Sequence, residues 1–321
     1  MKAHSNTFSR RDLLLGAVAA GAWPNVSPAR AQASLKLNVG FTAINEYTGL
    51  FVAKEQGFFA KRGLEVELTL IANNATVPAA LASNSIQIGT PSVTTILQAV
   101  DGGIPLQLVC GAGVLSVSKP SVGLVAKTGS NIAKASDFAG KRVGVPGLNA
   151  LFHIIARQWM IKGGQDPKTV HFVEVPFAQM FDTLRGGQVD ALVTAEPARS
   201  RIINGGVGFV VGNILEAIMD NALSGNYTAT SSFISANRQP LASFRAALDE
   251  AHAFAASQQE ATLNDVGKYL KLPLETLRSL PSPILRTQID RAQVEFWVKV
   301  AIDQGMLRSP LSVDQLMGGL A

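Results

Sequence analysis

The sequence predicts an α/β protein made of two units, each with a mainly parallel sheet. Three observations lead there. Along residues 35–110, short β-branched or alternating apolar runs trade places with stretches of helical spacing. The same alternation restarts at Gly140-Lys141 and continues to about residue 211. From Leu241 the pattern turns helical almost throughout, with Ile289, Ala292, Phe296 and Val300 along one face. Strand–helix–strand units of this length imply right-handed crossovers between parallel neighbours.

Taken in order, Leu35–Phe41 alternates apolar and polar residues and reads as a strand. A helix follows from about Thr48, with Leu50, Ala53, Lys54 and Gly57 at helical spacing, and stops near Gly63. Glu65–Ile71 is the second strand. A helix over Thr76–Ser83 leads to the short strand Ile86–Gly89. Thr90-Pro91 then signals a helix start, with Thr90 as N-cap and Pro91 at the first helical position. That helix ends at Gly102-Gly103, before the strand Leu106–Cys110. In the second unit the strands are Arg142–Val145, Val170–Val175, Val189–Val193 and Val207–Val211. The helices between them carry Phe152, Ile155, Ala156 and Trp159, then Ala178–Arg185, then Pro197–Ile203. Gly163-Gly164 and Gly186-Gly187 close helices rather than cradle a nucleotide. Thr228–Ser235 is a β-rich run outside these crossovers.

The first 33 residues read as an export address. Arg10-Arg11 forms the charged region, a weakly apolar stretch runs from Leu13 to Trp23, and Ala31-Gln32-Ala33 offers small residues to a signal peptidase. The arginine pair before a Gly-containing, weakly apolar stretch is of the twin-arginine type, which exports folded chains. The apolar run is far short of the ~20 residues that cross a bilayer. Cleavage is expected before Ser34, leaving a soluble periplasmic protein with no lipid anchor.

Charge and cysteine content narrow the class. The chain carries a formal net charge of +5, of which residues 1–33 hold +3, so the remainder is close to neutral. Nothing there calls for nucleic acid or an anionic membrane as partner. Nearly half of the residues are apolar, ample for two packed cores. The single cysteine, Cys110, sits in an apolar run and reads as a buried, inert thiol. One cysteine excludes an internal disulfide, a Cys-rich metal site and a redox pair. Neither a cofactor nor a metal is expected, and a monomer is.

No enzyme motif is present: no Gly-x-Ser-x-Gly, no Gly-rich phosphate loop with Lys, no His-Glu-x-x-His. His153, His171 and His252 are far apart in the sequence and read as packing or surface residues. The informative positions are the loops after strands, because ligands of open α/β sheets bind beyond the carboxyl ends. Those loops hold Thr42, Asn45, Glu46 and Tyr47; Thr90-Pro91-Ser92; Pro146-Gly147-Leu148-Asn149; Pro176-Phe177; and Thr194-Ala195-Glu196-Pro197. Two of them open into helices, at Ser92 and at Leu148-Asn149, where free backbone N–H groups make an anion cradle.

Four segments resemble the periplasmic solute-binding proteins of the nitrate/sulfonate/taurine type, which include binders of thiamine pyrimidine precursors. Gly57-Phe58-Phe59 through Gly63-Leu64-Glu65-Val66-Glu67 is similar to their GFFxxxGLxVE signature. Ala80–Gly89 is similar to ALxxGxIDxG, with Asn84 and Gln87 in place of the usual Gly and Asp. Asp137-Phe138-Ala139-Gly140-Lys141-Arg142-Val143-Gly144-Val145 resembles DLxGKxVxV. Leu184–Ala191 followed by Glu196-Pro197 resembles LxxGxVDA…EP.

The resemblance implies a type II periplasmic binding protein fold: two α/β lobes with a ligand cleft between them, delivering a small molecule to an ABC permease and ATPase. Residues 34–126 and 227–321 would form lobe I, and 127–226 lobe II. In that family the ligand loops follow the strands named above, which places Thr42, Tyr47, Thr90, Ser92, Leu148, Asn149, Phe177 and Glu196 around the cleft. The expected ligand is a small organic anion of the sulfonate or nitrate type, held by the two helix starts. An aromatic or pyrimidine-like solute stacked on Tyr47 and Phe177 stands close behind, since no arginine lies in these loops to clamp an anion. The rival readings are a thiamine-pyrimidine synthase-like enzyme, whose Cys-rich motif is missing here, and a periplasmic sensor that presents its ligand to a membrane receptor.

Overall fold

A computed structural model describes residues 35–318, besides Met1. The expected export segment and its cleavage point before Ser34 lie outside the described residues. β1 (Leu35–Phe41) leads through the 3-10 turn Asn45–Tyr47 into α1 (Thr48–Glu55). β2 (Leu64–Leu70), α2 (Val77–Ala82), β3 (Ile88–Gly89), α3 (Val93–Asp101) and β4 (Leu106–Leu115) follow. The next group is β5 (Val122–Lys127), β6 (Arg142–Val145), α4 (Leu151–Lys162), β7 (His171–Glu174), α5 (Met180–Arg185), β8 (Ala191–Ala195), α6 (Ala198–Asn204) and β9 (Gly208–Gly212). β10 (Ala222–Thr230) then precedes α7 (Ser231–Ala236), α8 (Arg238–Ser257), α9 (Gln259–Leu270), α10 (Leu274–Ser279), β11 (Ile284–Leu285), α11 (Arg291–Asp303) and α12 (Val313–Met317).

Two sheets result. One has the order β11-β4-β10-β3-β1-β2, the other β7-β6-β8-β5-β9. The pairs β1–β2, β1–β3, β6–β7 and β6–β8 are parallel, as the crossover reading requires. The sheets are nevertheless mixed, which corrects the expectation of mainly parallel ones. β10 runs antiparallel to β3 and β4, β11 to β4, and β5 to both β8 and β9. β5 and β10 carry the chain from one sheet into the other, so no crossover helix turns them round and they pair antiparallel.

The boundaries expected at 126/127 and 226/227 fall inside β5 and β10. β5 belongs wholly to the second sheet and β10 wholly to the first, so the chain changes sheets between Leu115 and Val122 and again between Gly212 and Ala222. These two linkers are bonded together: the Val117 N–H donates to Asp220 Oδ1 at 2.9 Å, and Asn213 Nδ2 donates to the Val117 carbonyl at 3.0 Å.

Local chemistry sets several element ends. α1 stops at Glu55 rather than near Gly63, because Gly57 takes φ 72°, a left-handed conformation that no helix continues. α3 begins two residues later than the Thr90-Pro91 signal suggests. Ser92 is extended and its Oγ accepts from the Thr95 N–H, making it the N-cap, and Val93, Ile96, Leu97 and Val100 then fall on one buried face. Thr230 caps α7 in the same way, which turns the second half of the β-rich run 228–235 into helix. Gly102, Gly163 and Gly186 occupy helix C-caps, as expected.

One core lies behind the first sheet, where Leu50 and Phe51 of α1 meet Phe244 and Leu248 of α8. A second runs without a break from Leu97, Leu108 and Trp297 to Val143, Ile154 and Ile155, so it spans both sheets. Cys110 is buried and free, and burial pushes its thiol pKa up, in line with an inert side chain. Among the described residues, no helix is long and apolar enough to cross a membrane.

Candidate functional site

The carboxyl ends of the parallel strands in both sheets face one cavity of about 50 Å³, room for a handful of waters or one small solute. From the first sheet come Thr42, Ile44, Glu46 and Tyr47 after β1, Asn74 after β2, Ser92 after β3 and Ser224 within β10. From the second come Pro146, Ala150, Leu151 and Phe152, between β6 and the first turn of α4, and Phe177 after β7.

A hydrogen-bonded scaffold holds the first-sheet side. The Tyr47 hydroxyl donates to the Thr90 carbonyl at 3.3 Å, and Asn74 Nδ2 donates to the same oxygen at 3.0 Å. Asn74 Oδ1 accepts from the Ser92 N–H at 2.7 Å and from Thr95 Oγ1 at 3.1 Å. Asn226 Nδ2 donates to the Pro91 carbonyl at 2.9 Å. The loop 90–92 is thereby fixed by two asparagines from other elements. On the far side of the 3-10 turn, Asn45 Nδ2 donates to the Pro281 carbonyl at 3.1 Å.

Within this scaffold several polar atoms have no partner among the described residues. They include Thr42 Oγ1, Thr90 Oγ1, Ser224 Oγ and both carboxylate oxygens of Glu46. Glu46 is only 3 % exposed. Burial, against a lowering pull from its own backbone N–H and with a further push from Glu196, raises its pKa to about 7. Burial likewise pushes the Tyr47 phenol up. The walls are apolar and aromatic, and Phe152 meets Phe177 edge-on at 6.0 Å.

Of the eight residues expected at the cleft, Thr42, Tyr47, Ser92 and Phe177 line the cavity. Thr90 sits directly behind it, fully buried, with its carbonyl held as above. Leu148 is 43 % exposed and lies outside, its N–H given to Glu174 Oε1 at 2.9 Å. Asn149 also lies outside the lining. It takes φ 59°, its N–H donates to His153 Nδ1 at 2.8 Å, and its carbonyl accepts from Gln98 Nε2 at 2.9 Å. The helix start therefore faces the cavity through Ala150–Phe152, with Ala150 as the N-cap, and not through Leu148-Asn149. Glu196 is fully buried, but its carboxylate accepts from Arg199 Nη1 at 3.0 Å and from the Ser200 N–H at 3.1 Å, so it holds the first turn of α6.

Glu46, Asn74, Ser224, Ile44 and Phe152 line the cavity beyond that set. Glu46 stood in the right loop, and only its burial distinguishes it from a surface carboxylate. Asn74 follows the carboxyl end of β2, a position the loop rule covers. Ser224 lies within a strand whose sequence gives no such signal.

Burial also keeps two histidines neutral at pH 7. Desolvation, with Arg157 nearby, lowers His153 to about 4, and desolvation lowers His252 to about 4 against an opposing pull from Asp249. His153 Nδ1 is an acceptor here, so this imidazole supports the turn before α4.

Residues 44–262 match the family described as NMT1/THI5 like. The chain is 26 % identical over 207 residues to the bicarbonate-binding protein CmpA of a Synechococcus species, covering 54 % of this chain and 43 % of that protein. It is 24 % identical over 199 residues to the nitrate import ATP-binding protein NrtC of a Synechocystis species, covering 57 % of this chain and 29 % of that one. The chain thus spans less than half the length of these curated relatives. The crystal structure of the periplasmic nitrate-binding protein NrtA from Synechocystis superposes with a TM-score of 0.76 at 17 % identity, covering 90 % of this chain and 87 % of that one. The two share the periplasmic binding protein fold, two α/β lobes around a cleft.

Proposed function

The chain belongs to the NMT1/THI5-like family, and from that premise we propose that it is the extracytoplasmic solute-binding component of an ABC importer. It captures one small solute, an organic anion or an aromatic or pyrimidine-like molecule, and hands it unchanged to a membrane permease driven by an ATPase. The observation that carries the proposal is the cavity itself. It is small, it is lined from both lobes, and it holds buried polar atoms with no partner among the described residues. A solute seated there touches both lobes only when they are closed, so binding favours closure.

The names of CmpA, NrtA and NrtC, two binding proteins and an import ATP-binding protein, support this role. The one carboxyl lining the cavity, Glu46, makes no hydrogen bond to a hydroxyl or thiol among the described residues, which favours binding without turnover. Export through the twin-arginine route, cleavage before Ser34, a periplasmic location and a monomeric state complete the proposal. The lobes comprise the two sheets with their covering helices, hinged at the linkers 116–121 and 213–221.

The test is calorimetric titration of the protein with sulfonates, nitrate, bicarbonate, aromatic acids and amino-pyrimidines, with small-angle scattering on each mixture. One solute per chain, a smaller radius of gyration and recovery of unchanged solute are expected. Solute-dependent product formation overturns the reading.

A further inference from the structure

Glu46 lines the cavity with both carboxylate oxygens buried and neither bonded to any other described residue, its own backbone N–H being the one donor near them. A buried carboxyl without partners is among the costlier arrangements in a folded protein. Its surroundings offer no counter-charge, because no Lys or Arg lines the cavity. Arg199, near the cleft end of β8, is engaged by Glu196. The lining hydroxyls without a partner, Thr42 and Ser224, can donate or accept and so do not decide the charge of the ligand. Tyr47, Phe152 and Phe177 line the same cavity with ring surface.

We infer that Glu46 is the specificity-determining residue of the cleft and that the solute presents paired N–H donors to it, as a planar amidine, guanidine or amino-heteroaromatic edge does. This rests on the binding role proposed above. Two free oxygens on one carboxyl match two parallel N–H donors spaced by one carbon, the same fork that guanidinium offers a carboxylate. A flat body behind that fork fits between aromatic walls. Nitrate and sulfonate carry acceptors only, and present no N–H to either carboxyl oxygen of Glu46.

Two shape-matched pairs test this by titration calorimetry: guanidinium against nitrate, and benzamidine against benzoate. In each pair the donor-bearing member is expected to bind at least about tenfold tighter. Glu46→Gln is expected to weaken benzamidine by about ten- to hundredfold while leaving benzoate unchanged or tighter. Glu46→Asp, which keeps the charge but withdraws it, gives an intermediate loss and serves if the Gln variant folds poorly. Tighter binding of nitrate or benzoate than of its partner, or unaltered benzamidine affinity in both variants, overturns the inference. If benzoate or nitrate binds more tightly than its partner and contracts the protein in scattering, the binding role stands and only the donor assignment falls. Failure of all four probes to bind or contract the protein counts against both.

Discussion

Gln98 on α3 donates to the Asn149 carbonyl at 2.9 Å, joining the first lobe to the loop that opens α4 in the second. Beside it, the Leu151 N–H reaches Ser92 Oγ at 3.4 Å, so the cleft is fastened at one edge by two bonds from α3 and its cap. A net hydrogen bond contributes about 0.5–1.5 kcal/mol. Gln98→Ala therefore lowers solute affinity about two- to twelvefold, with no contact to the solute removed. Calorimetry paired with scattering reads it, the variant showing a larger mean radius at equal occupancy. Unchanged affinity and radius would mean the closed form does not depend on this bond.

The Glu46 carboxyl makes stability depend on pH in a distinctive direction. Its pKa is raised from 4.5 to about 7, so the folded state binds its proton more tightly than the unfolded chain. The contribution is full below about 4.5 and is lost as pH rises through about 7, amounting to about 3 kcal/mol at most. His153 and His252, lowered from 6.5 to about 4, act in the opposite sense and cost stability as pH falls through that window. The readable quantity is thus the difference between wild type and Glu46→Gln. In denaturant unfolding of the ligand-free protein, the variant is expected to gain on wild type steadily between pH 5 and 7.5. A difference that stays flat across that range contradicts the assignment.

Asn74 makes three hydrogen bonds to the segment 90–95 with one amide. Asn74→Ala leaves the buried Thr90 carbonyl with only its bond from Tyr47 and removes the acceptor of the Ser92 N–H. The expected cost is about 1–3 kcal/mol of folding stability, with a further loss of affinity as the loop loosens. Asn74→Asp keeps the acceptor and should recover part of it. Thermal unfolding and titration of the two variants decide the matter, and equal stability of Ala and Asp would remove the scaffold role.

Asn149 separates a conformational role from a binding one. Its side chain lies outside the cavity lining and its backbone is left-handed at φ 59°. Asn149→Gly is expected to keep affinity within about threefold, since glycine adopts this conformation without strain. Asn149→Ala is expected to lose about 1 kcal/mol of stability, because alanine keeps the Cβ but lacks the short polar side chain that lets asparagine tolerate the left-handed region. A tenfold loss of affinity in the glycine variant would return Asn149 to the binding surface.

The sequence pattern carried the parallel strands, their following helices and the rim on which the cavity sits, because period-2 and period-3.6 spacing is local information. What it did not carry is long-range. β11 is a two-residue strand that only sheet pairing defines, β5 belongs to no strand–helix–strand unit that would frame it, and β10 reads as strand only from Thr228 until it lies against β4. The same limit applies to the site. Thr42, Tyr47, Ser92 and Phe177 follow from the loop rule, whereas Glu46 and Glu196 exchange roles for a reason no local pattern contains. Arg199 and the Ser200 N–H lie in the next helical turn and take up Glu196, while no other described residue bonds Glu46.

The bond from Asn45 to the Pro281 carbonyl spans 236 positions of the chain, and that from Asn226 to Pro91 spans 135. The turn that presents Glu46 and Tyr47 is thus secured by residues translated long after it. A ribosome-bound fragment ending before β10 lacks Ser224, the Asn226 brace and the Pro281 anchor, so a recognition surface assembles only when synthesis is nearly complete. Contacts this distant in sequence also make folding slow. The export route proposed above, which carries chains already folded, suits that assembly order.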